Sequence, residues 1–283
     1  MLKIDLHCHS NCSDGALAPA EVAARAASRG CEVWALTDHD ELQGLAEARA
    51  AAEGAGMRFV PGVEVSVTWD RLTVHIVGLN VDPTNASLQA GLAQVRSGRV
   101  RRAEAMGLDL ERVGIKGAFD GALALADNKE MVGRTHFARF LVEQGHVKDV
   151  KTAFKKYLVK GKPGYVSHQW AELVDVVAWI RAAGGQAVLA HPGRYEIGKA
   201  RMLALITQFK EAGGEAIEVV TSNHTAEHVS QFARLCVEHQ LLASCGSDFH
   251  SPADGWCDLG TLPALPANVT PIWHDWPGLP LAS

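Results

Sequence analysis

The chain has 283 residues and a mass of 30.3 kDa, and its 47% hydrophobic and 21% charged residues exclude an intrinsically disordered protein. Its net charge of −5 argues against a protein that coats duplex DNA, and no apolar run is long enough to predict a membrane partner. Six irregularly spaced cysteines and an N-terminus without a signal-peptide pattern lead us to expect reduced thiols and a cytoplasmic location.

Short β-rich runs alternate with alanine-rich helical patterns along the chain, which is typical of a parallel α/β fold. The predicted strands are Leu2–His7, Glu32–Leu36, Arg58–Pro61, Gln186–Ala190, Ala216–Val220, Leu241–Cys245 and a weaker Asp258–Thr261, with a hairpin of Glu64–Thr68 and Leu72–Gly78 after the third. The predicted helices between them are Pro19–Ser28, Leu42–Glu53, Ala171–Ala183, Ala200–Ala212 and Ala226–His239. Seven strands in this order predict a closed or nearly closed barrel.

One long stretch interrupts this alternation. From residue 99 to residue 166 no strand is predicted, whereas Thr135–Gln144 and Val147–Leu158 have helical patterns. We therefore expect a helical insertion subdomain at residues 99–166. Residues 1–98 and 167–283 would together form the barrel.

Histidines and acidic residues collect where the predicted strands end. His7 and His9 stand two apart, so that both rings point to the same side of the first strand. The carboxyl ends of parallel strands share one mouth, so we expect residues from several of them to meet there. Each of these histidines and acidic residues, taken alone, has a structural explanation, such as a helix cap or a turn. Unpaired ionisable groups cluster at one place, however, only if something compensates their charge. The candidate metal ligands are His7, His9, Asp14, His39, Glu64, His75, His191, Asp248 and His250.

The type of ligand restricts the metal. Mixed imidazole and carboxylate ligands suit Mn, Fe or Zn better than Ca or Mg. Because no cysteine is among the candidate ligands, a zinc site of the thiolate type is excluded. Nine ligands are more than one ion accepts, so we expect two or three divalent ions, with Mn favoured. Glu64 is the expected bridge between them.

These motifs resemble those of the PHP (polymerase and histidinol phosphatase) family of metal-dependent phosphoesterases. The likeness runs through the whole chain and implies a distorted (βα)7 barrel with a trinuclear site. It would assign one ion to His7, His9, Glu64 and Asp248, a second to Glu64, His75 and His191, and a third to Asp14, His39 and His250.

The insertion resembles that of one subgroup of this family. Its segments Gly133–Arg139 and Gly161–Val166 are similar to those of the 3′,5′-nucleoside bisphosphate phosphatases, a subgroup that also includes enzymes trimming short 5′-phosphorylated RNA. A second phosphate on the substrate needs cationic donors away from the metals. The candidate substrate-binding residues are Arg102, Arg134, Arg194 and Asn223, with Arg99 and His136 as further possibilities.

The resemblance implies hydrolysis of the 3′-phosphate of a nucleoside 3′,5′-bisphosphate. A hydroxide that bridges two ions, held by Glu64 and its neighbours, would attack phosphorus, while the general acid stays unassigned. Three alternatives remain open: a 5′–3′ exoribonuclease acting on short RNA, a histidinol phosphatase, and a non-catalytic module that binds nucleotides.

Overall fold

A curved mixed β-sheet forms the centre of the computed structural model, which describes residues 2–253 and 257–279. Its strands are β1 (Ile4–Asp5), β2 (Val33–Leu36), β3 (Arg58–Trp69), β4 (Leu72–Leu79), β5 (Ala171–Glu172), β6 (Gln186–Leu189), β7 (Ala216–Thr221) and β8 (Leu242–Gly246). Within the described residues the order is β1-β2-β3-β4-β6-β7-β8, with β5 paired to β3. Strand β4 runs antiparallel to both neighbours, and all other pairs are parallel.

The two ends of this sheet come together. Leu6 N–H donates to the Cys245 carbonyl at 3.1 Å, and Cys8 forms a parallel bridge with Phe249. The sheet is thus nearly closed, which confirms the α/β barrel expected from the sequence. Because most strands are parallel, their carboxyl ends open on one side of the barrel.

Helices surround this barrel and also make up much of the predicted insertion at residues 99–166. They are α1 (Pro19–Ser28), α2 (Leu45–Gly54), α3 (Ala86–Arg112), α4 (Ala118–Ala124), α5 (Arg134–Glu143), α6 (Val150–Ala153), α7 (Leu173–Ala182), α8 (Lys199–Glu211) and α9 (Ala226–His239). Pro19 occupies the first turn of α1, and the Thr225 hydroxyl caps α9. Among the described residues, none of these helices combines the length and apolar character that crossing a bilayer requires.

The structure corrects several predicted boundaries. The third strand and the first arm of the hairpin are one continuous strand, β3, and the turn after it has Asp70 and Arg71 at positive φ, as a tight hairpin requires. Residues Ala171–Glu172 pair with β3 instead of starting a helix. The weak strand Asp258–Thr261 does not form. Asp258 instead accepts hydrogen bonds from Arg25, and β4 completes the seven-stranded path.

Helix α3 connects the barrel to the predicted insertion. Leu88, Leu92 and Val95 in its first half lie in the barrel core. Met106 and Leu110 in its second half lie in a separate cluster with residues of α4 and α5. Residue 99, at which the sequence places the start of the insertion, therefore lies inside a continuous helix. The division of the chain at residues 99 and 166 stays a prediction. We call residues 99–166 the cap from here on.

Phe137 tests whether the cap has a core of its own. Its ring is fully buried in the cap cluster, so Phe137→Ala should leave a cavity and lower the free energy of unfolding by about 3–5 kcal/mol. Val113→Ala, at an exposed position (50%) that the cap cluster does not include, should change it by less than about 0.5 kcal/mol. Urea unfolding monitored by circular dichroism would measure both. Equal losses in the two variants would contradict the assignment of Phe137 to a packed core.

Candidate metal centre and substrate cavity

The strand ends bring all nine candidate ligands to one side of the barrel. His7 and His9 face inwards, whereas Cys8 between them faces the opposite side, where its Sγ lies 3.2 Å from Trp34 Nε1. Ligand atoms of eight of these residues fall into three overlapping groups, each with its atoms within 4.8 Å of one another. The groups are His7, His9, Glu64 and Asp248; His39, Glu64 and His75; and His9, Asp14, His39 and His250.

The carboxylate of Glu64 lies at the centre of the cluster. It is completely buried on β3, and five imidazoles surround it. The nearest nitrogen atoms of His191, His75 and His39 lie 2.8, 2.9 and 2.9 Å from its oxygens. Those of His9 and His7 follow at 3.3 and 3.4 Å. Glu64 is therefore in contact with five of the six candidate ligand histidines.

The grouping differs in part from the one that the family resemblance implies. The group around His7 and His9 agrees with it. His39, however, lies with Glu64 and His75 as well as with Asp14 and His250, and His9 joins the latter group. His191 still contacts Glu64. The assignment of individual ligands to individual ions stays a prediction.

The donor atoms fit divalent cations. Seven of the nine residues carry a buried nitrogen or oxygen atom without a hydrogen-bond partner of good geometry within the described residues; they are His9, Asp14, His39, Glu64, His75, His191 and Asp248. Buried polar atoms that are left unpaired are costly. A bound metal ion would satisfy them, and a mixed set of imidazoles and carboxylates suits a transition metal.

The protonation states differ from one ligand to another. Although burial opposes it, neighbouring carboxylates raise the pKa of His7, of His39 and, to about 9, of His250, so these rings would lose a proton when a metal binds.

The other shifts favour metal binding. Burial and the neighbouring rings of His250 and His39 lower the pKa of His9 to about 3, and burial lowers the pKa of His75 to about 4. Although burial opposes it, the imidazoles around Glu64 hold the pKa of that carboxyl well below its usual range. Neutral imidazoles and ionised carboxylates are the forms that bind metals.

A cavity of about 230 Å³ adjoins the cluster. Its walls come from both the barrel and the cap, and four arginines face it. The ligands on its floor are Asp14, His39, His75 and His250; its arginines are Arg99, Arg102, Arg134 and Arg194; and its aromatic residues are Phe154 and Trp170. Three of the four predicted substrate-binding residues thus line one cavity together with the candidate metal ligands.

Two of these arginines lack an acidic partner. Arg99 pairs with Asp40 and donates to Ser66 Oγ at 2.8 Å. Arg102 and Arg134 contact no carboxylate within salt-bridge distance in the described part of the chain. Burial and the charges of Arg134 and Arg99 lower the pKa of Arg102 to about 10. Burial also lowers the pKa of Arg134. Both guanidinium groups are half-buried, and Arg102 donates only one hydrogen bond to a backbone carbonyl, that of Val166 at 3.1 Å, among the contacts of the described residues. Half-buried guanidinium groups that have no carboxylate partner in this part of the chain favour an anionic ligand.

Other predicted substrate residues have different surroundings. Arg194 lines the cavity, but its Nη2 lies 2.6 Å from Asp248 Oδ2. Asn223 is not among the cavity-lining residues, and its amide oxygen can accept from Arg194 Nη2 at 2.7 Å. His136 is buried, and its Nδ1 accepts the Gly133 N–H at 3.1 Å, which caps α5. The polar side-chain atoms of Asn223 and His136 are therefore engaged by other residues of the protein, Arg194 and Gly133.

The sequence interpretation missed residues that hold the ligands. Glu218 on β7 contacts His7 and the backbone of His191, and the Thr135 hydroxyl donates to Asp14 Oδ2 at 3.0 Å. Asp40 pairs with Arg99 beneath the cap. Glu218 had a recognisable signal, because it is the only charged residue in the apolar strand sequence Ala216–Thr221.

Comparisons with known proteins agree with this geometry. The chain is 55% identical to a 3′,5′-nucleoside bisphosphate phosphatase from Chromobacterium violaceum, over 97% of this chain and 96% of that protein. It is 43% identical to a 5′–3′ exoribonuclease from Haemophilus influenzae, over 97% and 99% of the two chains.

Solved structures give the same result. One is an amidohydrolase from Chromobacterium violaceum with bound sulfate and no metal, which superimposes with a TM-score of 0.93 at 55% identity, over 96% of this chain and 95% of that one. Another, a candidate metal-dependent phosphoesterase from Bifidobacterium adolescentis, gives a TM-score of 0.80 at 27% identity, over 96% and 93%. The sequence profile of the PHP domain matches residues 5–222. The chain belongs to the PHP domain family.

Proposed function

We propose that the protein is a metal-dependent phosphoesterase that removes the 3′-phosphate from nucleoside 3′,5′-bisphosphates. The observation that carries this proposal is the cavity in which two arginines, without a carboxylate partner among the described residues, face the histidine and carboxylate cluster. One end of such a cavity can hold the phosphate that reacts, and the other end can hold a phosphate that does not. The 55% identical phosphatase from Chromobacterium violaceum supports the same substrate class.

The metal site in this proposal consists of the nine residues of the cluster. His7, His9, Asp14, His39, Glu64, His75, His191, Asp248 and His250 would hold two or three divalent ions, with Mn favoured and Fe or Zn as alternatives. Bound ions would supply a nucleophile from water at neutral pH and neutralise charge on the phosphoryl oxygens. Glu64, whose carboxylate contacts His39, His75 and His191, would be the carboxylate shared between ions.

The chain's own residues would bind and orient the nucleotide. Arg102 and Arg134 would donate to the 5′-phosphate, since neither has an acidic partner among the described residues. Arg194 would donate to the reacting phosphate while Asp248 and Asn223 hold its guanidinium in place. Phe154 of the cap and Trp170 of the barrel would exclude water from the cavity.

A second candidate function is 5′–3′ exoribonuclease activity on short 5′-phosphorylated RNA. One observation favours it: six exposed lysines lie on the cap segment that also contributes Phe154 to the cavity. They are Lys148, Lys151, Lys155, Lys156, Lys160 and Lys162. A cationic surface next to the cavity could contact the phosphates of a longer chain.

The reaction can be tested directly. Purified protein loaded with Mn²⁺ should release phosphate and AMP from adenosine 3′,5′-bisphosphate, and a chelator should abolish this activity while far-ultraviolet circular dichroism stays unchanged. Re-addition of Mn²⁺ should restore it. Histidinol phosphate and 5′-phosphorylated oligoribonucleotides, assayed in parallel, would distinguish the alternatives. Release of phosphate from histidinol phosphate alone would refute the proposed substrate.

The ligand set has its own test. His7→Ala should lower kcat by at least about 10³-fold, because it removes a ligand from the buried group that includes Glu64 and Asp248. His146→Ala removes an exposed histidine of the cap outside the cluster and should have no effect. Steady-state kinetics and metal analysis of both variants would check this. Full activity in His7→Ala would mean that the proposed ligand set is wrong.

Arg102 distinguishes the two phosphates. Arg102→Ala should lower kcat/KM for adenosine 3′,5′-bisphosphate about 10- to 100-fold, because a charge-assisted contact to the 5′-phosphate is lost. The same variant should hydrolyse adenosine 3′-phosphate as the unmodified protein does. Arg112→Ala, on the exposed end of the same helix, is the matched control. An equal loss on both substrates would contradict the role assigned to Arg102.

A further inference from the structure

Glu218 joins two of the candidate ligands from beneath the cluster. Its side chain is 1% exposed and projects from β7. Oε1 lies 2.7 Å from His7 Nδ1, and Oε2 accepts the backbone N–H of His191 at 2.6 Å. Both oxygens of this buried carboxylate are therefore used, and each holds a residue from a different strand end.

The contact with His7 determines which ring nitrogen carries a proton. An ionised carboxylate can only accept hydrogen bonds, so His7 Nδ1 must be the protonated atom. In the neutral ring, which is the form that binds a metal, the lone pair then lies on Nε2. This is the atom that faces the cluster, at 3.4 Å from Glu64 Oε1 and 3.5 Å from Asp248 Oδ1. A partner that fixes the ring in this way makes a histidine a better metal ligand.

The contact with His191 stabilises an unusual backbone conformation. His191 has a φ of 28°, in a region that residues other than glycine rarely adopt. Such conformations persist only where the surroundings hold them. The hydrogen bond from its N–H to Glu218 is one such constraint, and it keeps the imidazole Nε2 at 2.8 Å from Glu64 Oε1.

We propose that Glu218 is a positioning residue of the metal centre, which fixes the tautomer of His7 and the backbone of His191 so that both rings face the metals. This inference rests on the proposed function, because it assumes that the cluster binds metal ions. Glu218 is not among the cavity-lining residues, and it acts through the two histidines.

The isosteric amide cannot reproduce both contacts. The two donors face different oxygens of the Glu218 carboxylate. In Glu218→Gln one of these positions is an NH₂ group, so the amide oxygen can accept from only one of the two donors. If it accepts from His191, the NH₂ group donates to His7 Nδ1 and moves the ring proton to Nε2, which faces the cluster. If it accepts from His7, the NH₂ group faces the His191 N–H, and two donors oppose each other. Either arrangement disturbs one ligand while the shape of the side chain is kept.

The experiment measures metal binding and the His7 ring separately from activity. The metal-free full-length protein is titrated with Mn²⁺ by calorimetry, and the Zn²⁺-loaded protein is examined by ¹⁵N NMR of the histidine rings. The unmodified protein should show His7 protonated at Nδ1, and Glu218→Gln should bind Mn²⁺ about 10- to 100-fold more weakly. Glu215→Gln is the matched control and should bind Mn²⁺ normally, because Glu215 lies just before the same strand and its carboxylate accepts from Gln186 Nε2 at 3.1 Å.

The outcomes separate this inference from the proposed function. If the unmodified protein binds no Mn²⁺, the metal centre itself is refuted. If it binds Mn²⁺ and Glu218→Gln binds with the same affinity, the inference about Glu218 is overturned. Should Glu218→Gln fail to fold, the NMR spectrum of the unmodified protein decides. A His7 ring protonated at Nε2 in that spectrum would refute the positioning role.

Discussion

A buried carboxylate surrounded by imidazoles is the constraint around which the molecule is built. Glu64 is cut off from water, and a charge in such a place is tolerated only if other groups compensate it. Five histidines approach it, and they come from the ends of β1, β2 and β6 and from the returning strand β4. No single segment could supply them. A nearly closed sheet delivers them together because its strands end on the same side.

Much of this arrangement is predictable from the sequence, and the reasons are physical. The alternation of strand and helix patterns, the His-x-His spacing of His7 and His9, and the position of Asp248 after β8 all follow from local periodicity. The continuity of β3 is harder to predict, because the sequence pattern places Arg58–Pro61 and Glu64–Thr68 in two separate strands where the structure has one. Asp258 is predicted to lie in a strand, but it pairs with Arg25 in α1 and with Arg29, the residue after α1.

Contacts between distant segments are what the sequence does not reveal. The ion pair of Arg99 with Asp40 joins residues 59 apart in the chain, and the contact of Glu218 with His7 joins residues 211 apart. Whether an arginine is solvated, paired or left facing a cavity depends on such contacts. Arg102 and Arg194 are both predicted substrate residues, yet of these two only Arg194 has an acidic partner within the described residues.

The continuous course of α3 has a consequence for the position of Arg102. The helix has 27 residues, which corresponds to about 40 Å, and its two halves are packed in different cores. Arg96 and Arg99 fasten its middle to Asp40 of the barrel. A long helix anchored in this way resists movement of the cap relative to the barrel. Arg102, one turn further along the same helix, therefore keeps a fixed position relative to the candidate ligands on β3 and β4.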